Sequence, residues 1–188
     1  MNIPTMSPLI ISPASAMLLH IDLQQRLLPA IAGGDEAVAN AVWLTRIARQ
    51  LGVPIGATVQ YPQGLGPTCA ALAELLTVEE SVEKTHFSAV REGCLGALNG
   101  FDRRQMVLTG CETHVCVLQT ALDLQQSGKQ VFVVADAVGS RLASDKALAL
   151  ERMRSAGVVI VSREMVAFEW LQRAGTEVFR AINRQFIR

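Results

Sequence analysis

The sequence predicts an α/β protein built on a parallel sheet with helices packed on both faces. Three observations predict it. Short, uninterrupted runs of apolar and β-branched residues alternate along the chain with stretches of helical periodicity, the pattern of strands buried on both faces. Half of the residues are apolar, a globular rather than a disordered composition. The length of 188 residues suits one domain, since domains commonly run to about 100–200 residues.

The elements follow in order. The first strand is Ala16–Ile21 and ends at Asp22. Gly34 or Asp35 can cap a helix carrying Val38, Val42, Ile47 and Leu51, and Gly52 stands where a C-terminal glycine closes such a helix. Residues 53–60 read as the second strand. Residues 61–67, with two prolines and two glycines, read as a loop. Ser81–Lys84 reads as the third strand and residues 89–98 as a short helix. Residues 106–109 make a fourth strand stopped by Gly110, and residues 115–126 a helix with Val115, Leu118 and Leu122 on its apolar face. A fifth strand over 131–135, a helix over 144–155, a sixth strand over 158–161 and helices from Ser162 onward complete the chain. No repeat, low-complexity tract or linker interrupts it. One domain over residues 1–188, with its core at about 14–175, is the expectation.

Composition narrows the function. Lysine plus arginine number 17, as do aspartate plus glutamate, for a formal charge of zero. Such a chain has no long-range attraction to nucleic acid or an anionic membrane, and its self-association meets little repulsion. No apolar run approaches the roughly 20 residues that span a bilayer. The first 13 residues lack the basic-then-apolar order of a signal peptide. Cys69, Cys94, Cys111 and Cys116 read as free thiols in a reducing cytoplasm, because a domain this large needs no disulfide staples. Neither G-x-G-x-x-G nor G-x-x-x-x-G-K-[ST] is present, so no nucleotide cradle is indicated.

In open parallel sheets, ligands bind beyond the carboxyl ends of the strands. That rule selects Asp22 after the first strand, Lys84 at the end of the third, and the turn from Gly110 to Cys116 after the fourth. Cys116 near a helix N-terminus has two readings, a buried structural cysteine or a thiol biased toward thiolate by the helix and a lysine. Asp22 can cap a turn or take a proton. Lys84 can be a solvated charge or part of a site. A Cys–His pair through His114 or His20 is also chemically reasonable.

Three segments carry a family resemblance. They are Ile21-Asp22-Leu23-Gln24, Glu83-Lys84-Thr85-His86-Phe87-Ser88 and, most specific, Gly110-Cys111-Glu112-Thr113-His114-Val115-Cys116-Val117. With Leu118 to Leu124, Asp136 to Arg141 and the loop from Gln60 to Thr68, they make the chain resemble the isochorismatase-like cysteine hydrolases, in particular the subgroup with the isochorismatase-domain-containing proteins. The resemblance implies a three-layer Rossmann-like fold with a six-stranded parallel sheet in the order 3-2-1-4-5-6. It implies a triad of Asp22, Lys84 and Cys116, a cis peptide between Cys111 and Glu112, and an oxyanion hole made by the backbone N–H groups of Glu112 and Cys116. Gln24, Tyr61, Phe87 and His114 are candidates for the walls of the substrate pocket, with packing in the core or loop as the plainer role. Asp136, Ser140 and Arg141 are expected to order the loop after the fifth strand.

The activity so implied is hydrolysis of a small amide or related C–N carbonyl compound through a thioester, with no cofactor. Relatives that bind metal place Asp and His after the second strand. Here Val59 to Thr68 contains no Asp, Glu or His, so no metal is expected. The family also implies a homo-oligomer, and the apolar C-terminal segment over 178–187 is a candidate for packing on a neighbour. Two other readings stay open: an idle scaffold or binding protein that kept the fold, and a redox-responsive protein in which Cys116 is oxidised.

Overall fold

The computed structural model describes residues 9–187. The reading of the N-terminus as leaderless therefore rests partly on residues 1–8, outside the described residues. The first strand, β1, is Ala16–Ile21, buried throughout. Helix α1 runs Gly34–Leu51, and Gly52, at φ 66°, closes it by donating its N–H to Ala48 O and Arg49 O. The strand β2 (Ile55–Gln60) is followed by two one-turn helices, α2 (Pro62–Leu65) and α3 (Ala70–Ala73). Then come β3 (Ser81–Lys84), α4 (Ala89–Glu92), β4 (Gln105–Cys111), α5 (Leu118–Gln126), β5 (Gln130–Gly139), α6 (Ala143–Ser155), β6 (Val159–Val161), α7 (Arg163–Leu171) and α8 (Glu177–Ile182).

The six strands form one parallel sheet in the order β3-β2-β1-β4-β5-β6, as the resemblance implies. The order reverses between β1 and β4, so the crevice at their carboxyl ends is the topological switch point. Strand pleating divides β1 between two cores. Met17, Leu19 and Ile21 pack with Leu118, Ala121 and Leu124 of α5 and with Met153 of α6. Leu18 packs on the opposite face with Leu44, Ile47 and Ala48 of α1 and Trp170 of α7. β1 and β4 approach closely. A Cβ built on Gly110 (φ 124°) would lie 2.0 Å from Ile21 O, so only glycine fits there.

Several boundaries differ from the sequence reading, each for a local reason. The second strand starts at Ile55, because Pro54 has no N–H for a ladder. Residues 61–67 are not all loop, since Pro62 opens a single helical turn. The helix expected over 89–98 is broken at Gly93 (φ 74°) into α4 and a 3-10 turn at Cys94–Ala97. β4 runs through Gly110 to Cys111. The helix expected from Val115 opens instead as a π-helical turn, Thr113–Val117, ahead of α5. β5 extends to Gly139, well past the expected Ala135, by a register shift that pairs Gly110 with Val138 and Cys111 with Gly139. The C-terminal segment packs on its own chain: Ile182 is fully buried, with Phe179, Phe186 and Ile187 against the same core, and Trp43 Nε1 donates to Phe186 O at 2.8 Å.

Among the described residues no helix is long and apolar enough to cross a membrane. The four cysteines are free thiols.

Candidate active site

Register aligns the strand ends that carry polar groups. Ile21 lies opposite Thr58 of β2 and Gly110 of β4, and Gln60 lies opposite Lys84 of β3. Asp22 follows at φ 49°, a left-handed conformation that aspartate tolerates better than most residues. Alternation along β1 would send residue 22 to the α1 face, with Leu18 and His20. The left-handed backbone takes it out of the pleat, and its carboxylate meets Lys84 over the carboxyl edge. Lys84 Nζ donates to Asp22 Oδ2 at 2.7 Å, with neither side chain exposed. Thr58 Oγ1 donates to Asp22 Oδ1 at 2.6 Å.

Lys84 makes three further contacts: to Gln60 Oε1 at 2.5 Å, Phe87 O at 3.2 Å and His86 O at 3.3 Å. Desolvating a carboxylate and an ammonium costs several kcal/mol per ion, so such a pair persists only when both ions are paired and their remaining hydrogen-bonding capacity is filled. Thr58 and Gln60 do that filling, and the sequence reading missed both. A signal for them existed: each is a polar residue at the carboxyl end of a strand whose other residues are apolar or glycine, and buried polar groups need partners.

Cys116 is 6% exposed. Burial and the Asp22 carboxylate push its thiol up to about 12, while Lys84 pulls it down. Both side chains thus act on the sulfur through their charges. The structure thus brings Asp22, Lys84 and Cys116 together. Of the two sequence readings of Cys116, burial opposes the bias toward thiolate that a helix N-terminus and a lysine would supply. Cys116 sits inside a π-helical turn rather than at the first residues of α5, and burial outweighs the nearby ammonium.

The Cys111–Glu112 peptide is cis. Glu112 O accepts from Val115 N at 3.1 Å and Val117 N at 3.2 Å, tying the turn. The Glu112 carboxylate is gripped by Arg141 through Nε at 3.0 Å, Nη2 at 2.9 Å and the backbone N–H at 3.1 Å. Burial raises this carboxyl, but the Arg141 hydrogen bonds and charge outweigh it and hold it below the usual carboxylate range. His114 Nδ1 lies 3.0 Å from Ser140 Oγ, and Asp136 Oδ1 accepts from Arg163 N at 2.8 Å.

The pocket-wall candidates separate. Gln24 is fully buried. It donates to Gln60 O at 2.9 Å and Gly66 O at 2.6 Å and accepts from Gln60 N at 2.9 Å, so both amide hydrogens are spent on bracing loops. Tyr61 and Phe87 are about half exposed, at 55% and 53%. Both attach to Lys84: Tyr61 N donates to Lys84 O at 2.9 Å, and Phe87 O accepts from Nζ. His20 is remote from this chemistry. Its ring nitrogens contact Thr109 Oγ1 at 2.6 Å and Thr45 Oγ1 at 2.9 Å, and burial, then Arg49, push it down to about 3. A ring with both nitrogens engaged by threonine hydroxyls on the α1 face is not the base for Cys116. Among the described residues no cluster of three or more His, Cys, Asp or Glu side chains is arranged to hold a metal ion.

A 3-2-1-4-5-6 parallel sheet with reactive side chains gathered at its switch point defines a three-layer, Rossmann-like α/β protein. The Isochorismatase domain model matches residues 16–165, and the chain belongs to the isochorismatase family. Mouse isochorismatase domain-containing protein 2A is 39% identical over 175 residues, covering 93% of this chain and 84% of the mouse protein. Two solved structures are similar. The MAR1 ribonuclease from Caenorhabditis elegans is 32% identical, with TM-score 0.84 over 95% of this chain and 92% of its own. YcaC from Pseudomonas aeruginosa, determined with hexane-2,5-diol and covalent acrylamide, is 26% identical, with TM-score 0.87 over 97% and 94%.

Proposed function

We propose that this chain is a cysteine hydrolase acting on a small amide or related C–N carbonyl compound, with Cys116 as nucleophile, Asp22 as general base and acid, and Lys84 as electrostatic partner. One observation carries the reading: a hydrogen-bonded carboxylate–ammonium pair at the sheet's carboxyl edge acts on a buried thiol far away in sequence. A buried ion pair beside a thiol costs stability that packing alone would not require, and perturbed groups at such an edge mark functional sites.

The mechanism follows from the raised thiol. A sulfur that holds its proton at neutral pH loses it only as the new bond forms. Asp22 takes the S–H proton while the sulfur adds to the carbonyl carbon, and the carbonyl π electrons move onto oxygen. The N–H groups of Glu112 and Cys116 are the donors proposed to receive that oxyanion. When the intermediate collapses, the C–N bond breaks and the departing nitrogen takes the proton from Asp22. Water, deprotonated by Asp22, then attacks the thioester, and the released sulfur recovers its proton. Lys84 offsets the charge on Asp22 and on the sulfur throughout. Glu112, locked to Arg141, holds the turn rather than exchanging protons. No metal, cofactor or membrane enters the scheme.

The covalent acrylamide in the YcaC structure accords with this reading, since acrylamide adds to nucleophiles such as thiols. A redox role for Cys116 is less favoured, because oxidation needs an exposed thiolate. The C. elegans relative is named a ribonuclease, but a chain with zero formal charge has no net long-range attraction for RNA. The same balance leaves self-association unopposed, and we read the protein as a homo-oligomer, which sedimentation velocity checks.

The test is a panel of small amides assayed for ammonia release, with RNA degradation measured in parallel and acrylamide adducts mapped by mass spectrometry. Cys116→Ala is expected to abolish the adduct and lower turnover at least about a thousandfold. Unchanged turnover in that variant, or an adduct still forming on it at the wild-type rate, removes the nucleophile assignment.

A further inference from the structure

We propose that Gln60 is a positioning residue of this site: its neutral side-chain amide fixes the Lys84 ammonium between Asp22 and Cys116. The proposal rests on the reading of Cys116 as nucleophile. Gln60 ends β2, opposite Lys84 in the ladder, and is 8% exposed. Its Oε1 accepts from Lys84 Nζ at 2.5 Å, and its Nε2 donates to Thr85 O at 2.7 Å. The second bond settles which end of the amide faces the ammonium. The Gln60 backbone is clamped in turn, its N–H donating to Gln24 Oε1 and its C=O accepting from Gln24 Nε2, both at 2.9 Å. Gln24 also reaches Gly66 O. One residue thereby ties the segments after β1, β2 and β3 to the position of a single ammonium.

Charge decides why an amide stands there. Asp22 is the one carboxylate among the described residues that contacts Nζ. The other acceptors, Gln60 Oε1 and the carbonyls of His86 and Phe87, are neutral. They fill the ammonium's donor capacity without competing for its charge, which stays directed at Asp22 and the sulfur. A carboxylate at position 60 would split that charge and place a second anion near the thiol. An apolar side chain there would leave the ammonium free to swing.

The experiment reads the rate at which iodoacetamide alkylates Cys116 near neutral pH, by peptide mass spectrometry on the full-length folded protein. Gln60→Glu is expected to slow labelling about tenfold, because a second anion near the sulfur disfavours the thiolate. Gln60→Met is expected to slow it about tenfold as well, since small displacements of a positioned group are costly. A residue that only supports the loop would lower the melting temperature and leave the labelling rate of the folded protein alone. Folded Gln60 variants that label at the wild-type rate overturn the proposal. If Gln60→Glu does not fold, Gln60→Met decides. If neither folds, the Gln60 side-chain amide signals of the wild-type protein decide: they shift on Cys116 alkylation, and unmoved signals overturn the proposal. Wild-type protein whose Cys94 labels while Cys116 does not overturns the nucleophile reading itself, a different result from equal labelling in all three proteins.

Discussion

His20 and Asp22 stand two residues apart at the end of β1, neither with any exposed surface, in polar surroundings that differ in kind. His20 lies on the α1 face between two hydroxyls. Thr45 Oγ1 donates to Ala41 O at 2.8 Å, so it accepts from His20 Nε2–H, and Thr109 donates to Nδ1. Each hydrogen in that chain has one acceptor, and the ring is neutral. Asp22 lies over the sheet edge against a hydroxyl, an ammonium and a thiol. Its cluster holds two opposite charges and a proton, that of Cys116, that can change owner. Burial is common to both. What separates a static polar cluster from a candidate for chemistry is that the second contains a thiol beside a group able to accept its proton.

The largest expected effect tests the static cluster. His20 sits at about 3 when folded against about 6.5 unfolded. Between those values the unfolded chain binds the extra proton, so stability falls as pH drops through that window. The loss from this one group is on the order of 4–5 kcal/mol once pH reaches the folded value. Urea unfolding at several pH values should show wild type losing its advantage over His20→Gln as pH falls from 7 toward 4. The carboxylates titrate in both proteins and drop out of the difference. A pH-independent difference would mean that His20 takes up its proton as readily in the folded protein as in the unfolded chain.

The second effect tests the ion pair. Lys84→Met leaves a buried, uncompensated carboxylate and should destabilise by about 3–5 kcal/mol. The double variant Asp22→Asn, Lys84→Met carries no buried charge and should recover most of that loss, yet fail to form the acrylamide adduct on Cys116. Stability and reactivity then separate in one pair of variants. An adduct forming in the double variant at the wild-type rate would show the pair to be structural, like the His20 cluster.

The sequence made the architecture legible because fully apolar runs such as Ala16–Ile21 and the glycines at strand and helix ends are local signals. The strand order, the cis peptide and the proposed triad came from resemblance, since no periodicity shows that Lys84 and Cys116 meet. Two kinds of feature were not legible. The extension of β5 depends on a register shift opposite Leu108 and Gly110, set by pairing between strands rather than by composition. The state of Cys116 depends on how much water the surrounding elements exclude, and a motif does not encode that. Thr58 and Gln60 fell between the two. Their polarity inside a strand was visible, but their partners lie 36 and 24 residues away.

The smallest expected effect compares the two clusters at matched positions. Thr58→Val removes the hydroxyl that donates to Asp22, and Thr45→Val removes the hydroxyl that accepts from His20. Each change keeps side-chain shape and deletes one buried hydrogen-bonding group, so each should destabilise by about 1–3 kcal/mol. Reactivity should divide them. Without the Thr58 hydroxyl, Asp22 Oδ1 keeps no fixed donor and the carboxylate can rotate about its bond to Lys84, so adduct formation at Cys116 should slow severalfold or more. Thr45 touches His20 and its own helix, and its loss should leave the adduct rate of the folded protein at the wild-type value. Equal slowing in both would mean that the adduct rate follows overall stability, and the distinction between a static and a reactive cluster on β1 would go with it.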